Sequence, residues 1–161
     1  MAKADTSVMD NNFGLSNEVA EQLSRALESG NKAQISKITS SLHAADAADF
    51  IESIDSEKRE RLLETLKGDL DPEILTYLEP EILEQVTELL GTEKSADAIA
   101  ELTEEGAAEI VGELDSAEQQ EILNALPIEY REAVEATLSF TEGSVGRLMH
   151  KKFVSVPEYW N

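Results

Sequence analysis

Residues 102–126 read L-TEEGAAEIVGE-L-DSAEQQEILNA-L, with leucine at 102, 114 and 126 and a polar start after each. No straight helix or strand has a twelve-residue period. Extending the step in both directions gives Leu42, Ile54, Leu66, Leu78, Leu90, Leu102, Leu114, Leu126 and Leu138, every one a large aliphatic. Four residues before each of these, from Ile54 onward, stand Phe50, Leu62, Ile74, Val86, Ala98, Ile110, Ile122 and Val134, and most residues that follow them are also apolar. An i, i+1, i+4 grouping is one face of a helix, here repeated.

At about 100° per residue, twelve residues carry a continuous helix roughly 120° past whole turns, so its apolar stripe would wind around the cylinder and could not be buried. The chain must therefore break. Directly after each of the steps from Ile54 to Leu126 come residues that start or stop helices: Asp55-Ser56, Lys67-Gly68 with Asp71-Pro72 beyond, Glu79-Pro80, Gly91-Thr92, Thr103-Glu104, Asp115-Ser116 and Pro127. Ser, Thr and Asp accept the free amides of a first turn, Pro fits the first helical position, and Gly ends a helix. These signals predict a train of helices of two to three turns. Helices this short do not persist alone, so each must lay its stripe on its neighbours. Stacked helix pairs with a repeat of about 24 residues do so, giving an all-α superhelical stack of about ten short helices, an α-solenoid of armadillo or flagellar-switch type. A longer echo agrees: A-A-D-F-I-E-S-I-D-S at 47–56 returns as A-A-E-I-V-G-E-L-D-S at 107–116, five steps later.

Ahead of the repeats, S-N-E-V-A-E-Q-L-S-R-A-L-E-S-G at 16–30 predicts a capped amphipathic helix with Val19, Leu23 and Leu27 inward and Gly30 at its end. Residues 1–15 read as a disordered tail. After Leu138 the pattern gives way to S-F-T-E-G-S-V-G-R-L-M-H, whose glycines mark a junction, and K-F-V-S-V at 152–156 then alternates like a strand. One strand without a partner predicts that 141–161 enter a second domain cut short.

Thirteen Lys and Arg stand against 34 Asp and Glu, a formal net charge of −21. From Gly68 to Gly146 there are 21 acidic residues, with Lys94 and Arg131 the only basic ones. Such a surface repels nucleic-acid phosphates and favours cations. With no cysteine, disulfides, thiolate zinc sites and cysteine nucleophiles are excluded. No apolar run approaches the roughly 18 to 20 residues of a membrane span, and residues 1–14 lack the apolar centre of a secretory signal, so a soluble, intracellular chain is expected. His43 and His150 lie more than a hundred residues apart without spaced partners, and no glycine-rich phosphate loop is present. The pattern is not that of an enzyme. Carboxylates are the abundant chemistry. Most are caps on solvated faces, but carboxylates from successive short helices on one side of a solenoid repel, and Mg²⁺, which binds through one or two carboxylates while keeping its waters, relieves that repulsion. A salt-adapted acidic surface is the competing explanation.

The phrase L-H-A-A-D-A-A-D-F-I-E-S-I at 42–54, the punctuation after Ile54, Leu78 and Leu114, and above all S-F-T-E-G-S-V-G-R-L-M followed by F-V-S-V-P-E-Y-W over 139–160 resemble the cytosolic N-terminal domain of the MgtE family of magnesium transporters. The resemblance runs from Ser16 to the end. It implies an acidic domain at 16–140 joined by 141–161 to CBS domains of the same chain, and beyond them a membrane pore in a homodimeric protein. It also implies a regulatory role: Mg²⁺ between the acidic domain and the CBS pair holds the cytosolic part compact and the pore closed, and loss of Mg²⁺ lets the carboxylates repel and frees the gate. Matching the family's acidic positions onto D-P-E-I-L at 71–75 and T-E-E-G-A-A-E at 103–109 implies Glu73, Glu105 and Glu109 as Mg²⁺ ligands, with weak binding by the piece alone. A helical-repeat adaptor of the flagellar motor-switch kind, indifferent to Mg²⁺, is the alternative expectation.

Overall fold

The computed structural model describes residues 15–140, and among them every regular element is a helix. Residues 1–14 of the expected 1–15 tail, and the junction and strand expected at 141–161, lie outside the described residues. The all-α fold of about ten short helices expected from the twelve-residue step is what the structure shows. The chain divides into two units, residues 1–69 and 70–161.

The first unit holds α1 (Asn17–Glu28), α2 (Lys32–Thr39), α3 (Ala44–Ser53) and α4 (Ser56–Leu66). Each begins on a side chain that accepts a first-turn amide: Ser16 Oγ from Val19 N at 3.3 Å, Asn31 Oδ1 from Gln34 N at 3.2 Å, His43 Nδ1 from Ala45 N at 3.2 Å and Asp55 Oδ1 from Lys58 N at 2.9 Å. His43 is thus a cap. Helix α4 packs on both α1 and α2, and Leu23, Ile35, Phe50, Ile51, Leu62 and Leu63 are all 2% exposed or less. Burying each contributes about 1.5–3 kcal/mol.

The second unit holds a 3₁₀ helix (Pro72–Tyr77), α5 (Pro80–Leu90), α6 (Thr92–Ala100), α7 (Glu104–Glu113), α8 (Ser116–Ala125) and α9 (Ile128–Leu138). Its chief contacts join α6 to α8 and α7 to α9. In these two pairs a helix packs on the one after next, which is the 24-residue pairing of a stacked repeat, while α5 packs on α6 and the 3₁₀ helix on α7. The segment 72–77 departs from the α-helical expectation, with a physical reason. Pro80 disfavours α-conformation at Glu79, and Asp71 caps by bonding Glu73 N at 3.0 Å, leaving six positions that close as tighter turns.

The step residues occupy helix ends. Ile54, Leu78, Leu114 and Leu126 are extended C-terminal caps, and the next residue is already the N-cap of the following helix. Almost no loop intervenes. The step also reaches the hydrogen bonds. In α4, α6 and α8 the fourth residue donates to a carbonyl eight positions back, in the last turn of the preceding helix: Arg59 Nε to Ile51 O at 3.0 Å, Ser95 Oγ to Thr87 O at 3.2 Å, Gln119 Nε2 to Val111 O at 2.9 Å. Arg59, 5% exposed, adds a second bond from Nη2 to Ile54 O at 3.0 Å. Last-turn carbonyls have no partner within their own helix, so these side chains stitch one helix end to the next start.

Candidate functional site

Residues 70–140 carry 19 acidic side chains against Lys94 and Arg131. Within this unit the 3₁₀ helix packs on α7. Glu73 is the second residue of the 3₁₀ helix and exposed; Glu105 is the second residue of α7 and half-buried; Glu109, one turn further along α7, is exposed. The N-terminus of α7 is well made for carboxylates. Thr103 caps it by accepting Gly106 N at 3.1 Å, and Glu104 and Glu105 stand in the first turn, where the helix dipole favours negative charge. A Cβ added at Gly106 would stand 3.9 Å from Thr76 Cγ2, so the start of α7 lies beside the 3₁₀ helix that bears Glu73. The structure therefore puts the three sequence-derived residues on two adjoining elements. Among the described residues, however, no group of three or more His, Cys, Asp or Glu is gathered closely enough to hold a metal ion.

Beneath this turn lies a residue the sequence reading passed over. Tyr130, in the first turn of α9, brings its hydroxyl to three carbonyls of the α6–α7 junction: Leu102 O at 2.8 Å, Ile99 O at 3.1 Å and Thr103 O at 3.2 Å. Burial, with Glu104 and Glu105 adding to it, pushes the phenol up to about 12, so it stays a donor. The signal was legible: position 130 is four before Val134, on the inward face, and an inward tyrosine seeks a partner for its hydroxyl.

A second acidic group was also missed. Burial raises the Glu118 carboxyl above its ordinary value; a hydrogen bond with the Thr87 side chain opposes this, and Asp115, Glu84 and Glu88 reinforce it. Here α8 and α5 bring four carboxyls into one field although α8 follows α5 by some thirty residues.

The donor set on α7 and the 3₁₀ helix consists of carboxylates, with the hydroxyls of Thr76 and Thr103 nearby. Hard oxygen donors of this kind suit Mg²⁺, which keeps several waters and needs one or two carboxylates. They fit an open half-site and not a closed cage. Glu73, Glu105 and Glu109 would hold the hydrated ion from one side, and the ion would supply positive charge to a repelling face.

Residues 42–143, more than half of the chain, match the family of the MgtE intracellular N domain. The chain belongs to this family. Glu73, Glu105, Glu109 and Tyr130 all fall within the matched MgtE N domain. Among solved structures, one described as the crystal structure of the soluble part of a magnesium transporter shares the fold at TM-score 0.73 and 21% identity, covering 86% of this chain. This chain spans 55% of that one. No curated protein matches. Families of this kind are not an enzyme class, and among the described residues no helix is long and apolar enough to cross a membrane.

Proposed function

We propose that this MgtE N domain is the regulatory, non-enzymatic, Mg²⁺-sensing part of a magnesium transporter or channel, standing on the cytoplasmic side of the membrane. Its acidic face docks on CBS domains of the same chain when Mg²⁺ bridges the two, in a protein that is a homodimer. Glu73, Glu105 and Glu109 are its ligands on this side. The observation that carries the reading is the meeting of the 3₁₀ helix and the start of α7, which sets Glu73 and Glu105 on adjoining elements in a unit with 19 acidic and two basic residues. A ligand shifts an equilibrium only by binding one state better. Repelling carboxylates that a divalent ion draws against a second surface provide that difference, so the docked state is favoured at high Mg²⁺ and the separated state at low Mg²⁺.

Calorimetric titration of Mg²⁺ into this chain and into one extended through the following domain tests the reading. Weak heat from the first and clearly tighter binding by the second is expected, with the gain lost in the Glu73→Gln, Glu105→Gln double variant. Equal and negligible binding by both proteins would overturn it and leave the helical adaptor.

A further inference from the structure

We propose that Tyr130 is the positioning residue of the acidic turn: anchored on α9, its hydroxyl pins the α6–α7 junction and so fixes where Glu104 and Glu105 stand. The importance of that turn for divalent ions rests on the function proposed above; the pinning itself does not.

Three junctions, α3–α4, α5–α6 and α7–α8, carry a side-chain bond that this one lacks. Where α3 meets α4, and where α7 meets α8, the fourth residue of the later helix reaches back to a carbonyl of the earlier one, through Arg59 and Gln119. At the α6–α7 junction the fourth residue is Ala107, fully buried and without a side-chain donor. Local bonds of the junction include Glu101 N to Ala98 O at 3.1 Å, Leu102 N to Ile99 O at 3.1 Å, Ala107 N to Thr103 O at 2.9 Å and Gly106 N to Thr103 Oγ1 at 3.1 Å. None of them ties the end of α6 to a third element. Tyr130 does so from 28 residues downstream of Leu102, with one hydroxyl in reach of a carbonyl in α6, one in the link and one at the cap of α7. Only one proton is available, so the bond to Leu102 O at 2.8 Å takes it best and the others share what remains. Carboxylates that follow a pinned junction have a fixed origin, and the cost of ordering them before a cation arrives is already met by the fold. The phenol remains protonated throughout the neutral range, so the pin does not release with ordinary pH changes.

The test uses the whole chain and three proteins: wild type, Tyr130→Phe, and Thr137→Val as a control that removes a hydroxyl from the same helix, where Thr137 Oγ1 donates only within α9 to Ala133 O at 3.0 Å. Amide hydrogen exchange without divalent ions reads the pin. Loss of one net hydrogen bond should speed exchange at Gly106 and Ala107 by roughly fivefold, with α8 unchanged and Thr137→Val like wild type at those amides. Added Mn²⁺, a paramagnetic stand-in for Mg²⁺, reads the carboxylates: it should broaden the resonances of Glu104, Glu105 and Gly106 in wild type and in Thr137→Val, and Tyr130→Phe should need several-fold more Mn²⁺ for the same effect, while broadening around Glu57 and Glu60 stays equal. Unchanged exchange in Tyr130→Phe overturns the proposal. So does faster exchange with undiminished broadening, which would make the hydroxyl a stabiliser and not a positioning group. If wild type shows no broadening at 104–106, the acidic turn is not a divalent site and the proposed function fails there; the exchange result still decides whether Tyr130 pins the junction.

Discussion

The two units use one building rule and opposite charge economies. Residues 15–69 hold eleven acidic and seven basic side chains, and Arg25, Lys58 and Arg61 lie against Glu21, Glu28, Asp55 and Glu57. Residues 70–140 hold 19 acidic side chains and two basic ones, with Lys94 near Asp97 at 3.9 Å. Exposed pairs of this kind are worth little one at a time. The sum of unopposed charge is another matter, because self-repulsion weakens a compact state. The same step of leucines and the same side-chain stitches thus build one unit that is electrostatically near balance and one that is held together against its own charge. The difference shows that the repeat supplies the fold and the surface supplies the response to ions.

The largest effect that separates the units is expected from the stitches. Arg59→Ala removes a buried cation and leaves Ile51 O and Ile54 O without it; the first unit should lose about 3 kcal/mol. Gln119→Ala breaks the equivalent neutral bond in the second unit and should cost about 1 kcal/mol. Native-state hydrogen exchange, which reads each unit by its own amides, checks both, and equal costs would break the comparison. Next come the two glycines that follow α1 and α5. Gly30 has φ 65°, an ordinary left-handed turn position, while Gly91 combines φ 80° with ψ 157°, a region essentially closed to side chains. Gly91→Ala should cost the second unit about 2 kcal/mol and Gly30→Asn the first unit under about 0.5 kcal/mol, measured by urea denaturation.

Charge gives the next smaller effect. Raising NaCl to 1 M should stabilise the second unit more than the first by on the order of 1 kcal/mol, again read by exchange. The smallest concerns Glu118. Its carboxyl is raised in the folded state, chiefly by burial, so the folded chain binds that proton more tightly than the unfolded chain. Between the ordinary carboxyl value and the raised one, stability therefore falls as pH rises, and above that window the charged group is a constant burden. Its place in the first turn of α8 favours the charge and offsets part of this. Glu118→Gln should add roughly 0.5 kcal/mol or less at pH 7, since solvent screens the group, and the gain should vanish below the ordinary carboxyl range. A pH series of denaturation midpoints checks the sign.

Much of this was readable in advance because it is local. The junctions from Asp55 to Pro127 named by cap chemistry fall at helix boundaries in the structure, Lys67-Gly68 just past the end of α4 and Asp71-Pro72 and the others at or beside a helix start. The helix at Lys32–Thr39 escaped because only Ile35 is buried in it and no aliphatic keeps the step there. The 3₁₀ geometry at 72–77 needed the joint constraint of Asp71 and Pro80, which a face-counting argument does not impose. For the candidate site, the first-turn position of Glu105 and the i, i+4 relation to Glu109 follow from the helix alone. Their nearness to the element bearing Glu73, the reach of Tyr130 to Leu102 and the shared field of Glu84 and Glu118 depend on packing between helices far apart in sequence, and no spacing in the chain encodes that.

The caps at Leu78, Leu114 and Leu126 sit directly against the next helix start. Helices joined this way have little slack, and adding a single residue inside one of them would turn its remainder by about 100° against its neighbours. Variation in length meets less of that penalty in the longer links, 40–43 between α2 and α3 and 67–71 between α4 and the 3₁₀ helix. Natural variants and engineered insertions alike should collect in these links, and a probe peptide or fluorophore placed in 67–71 would leave the helices on either side as they are.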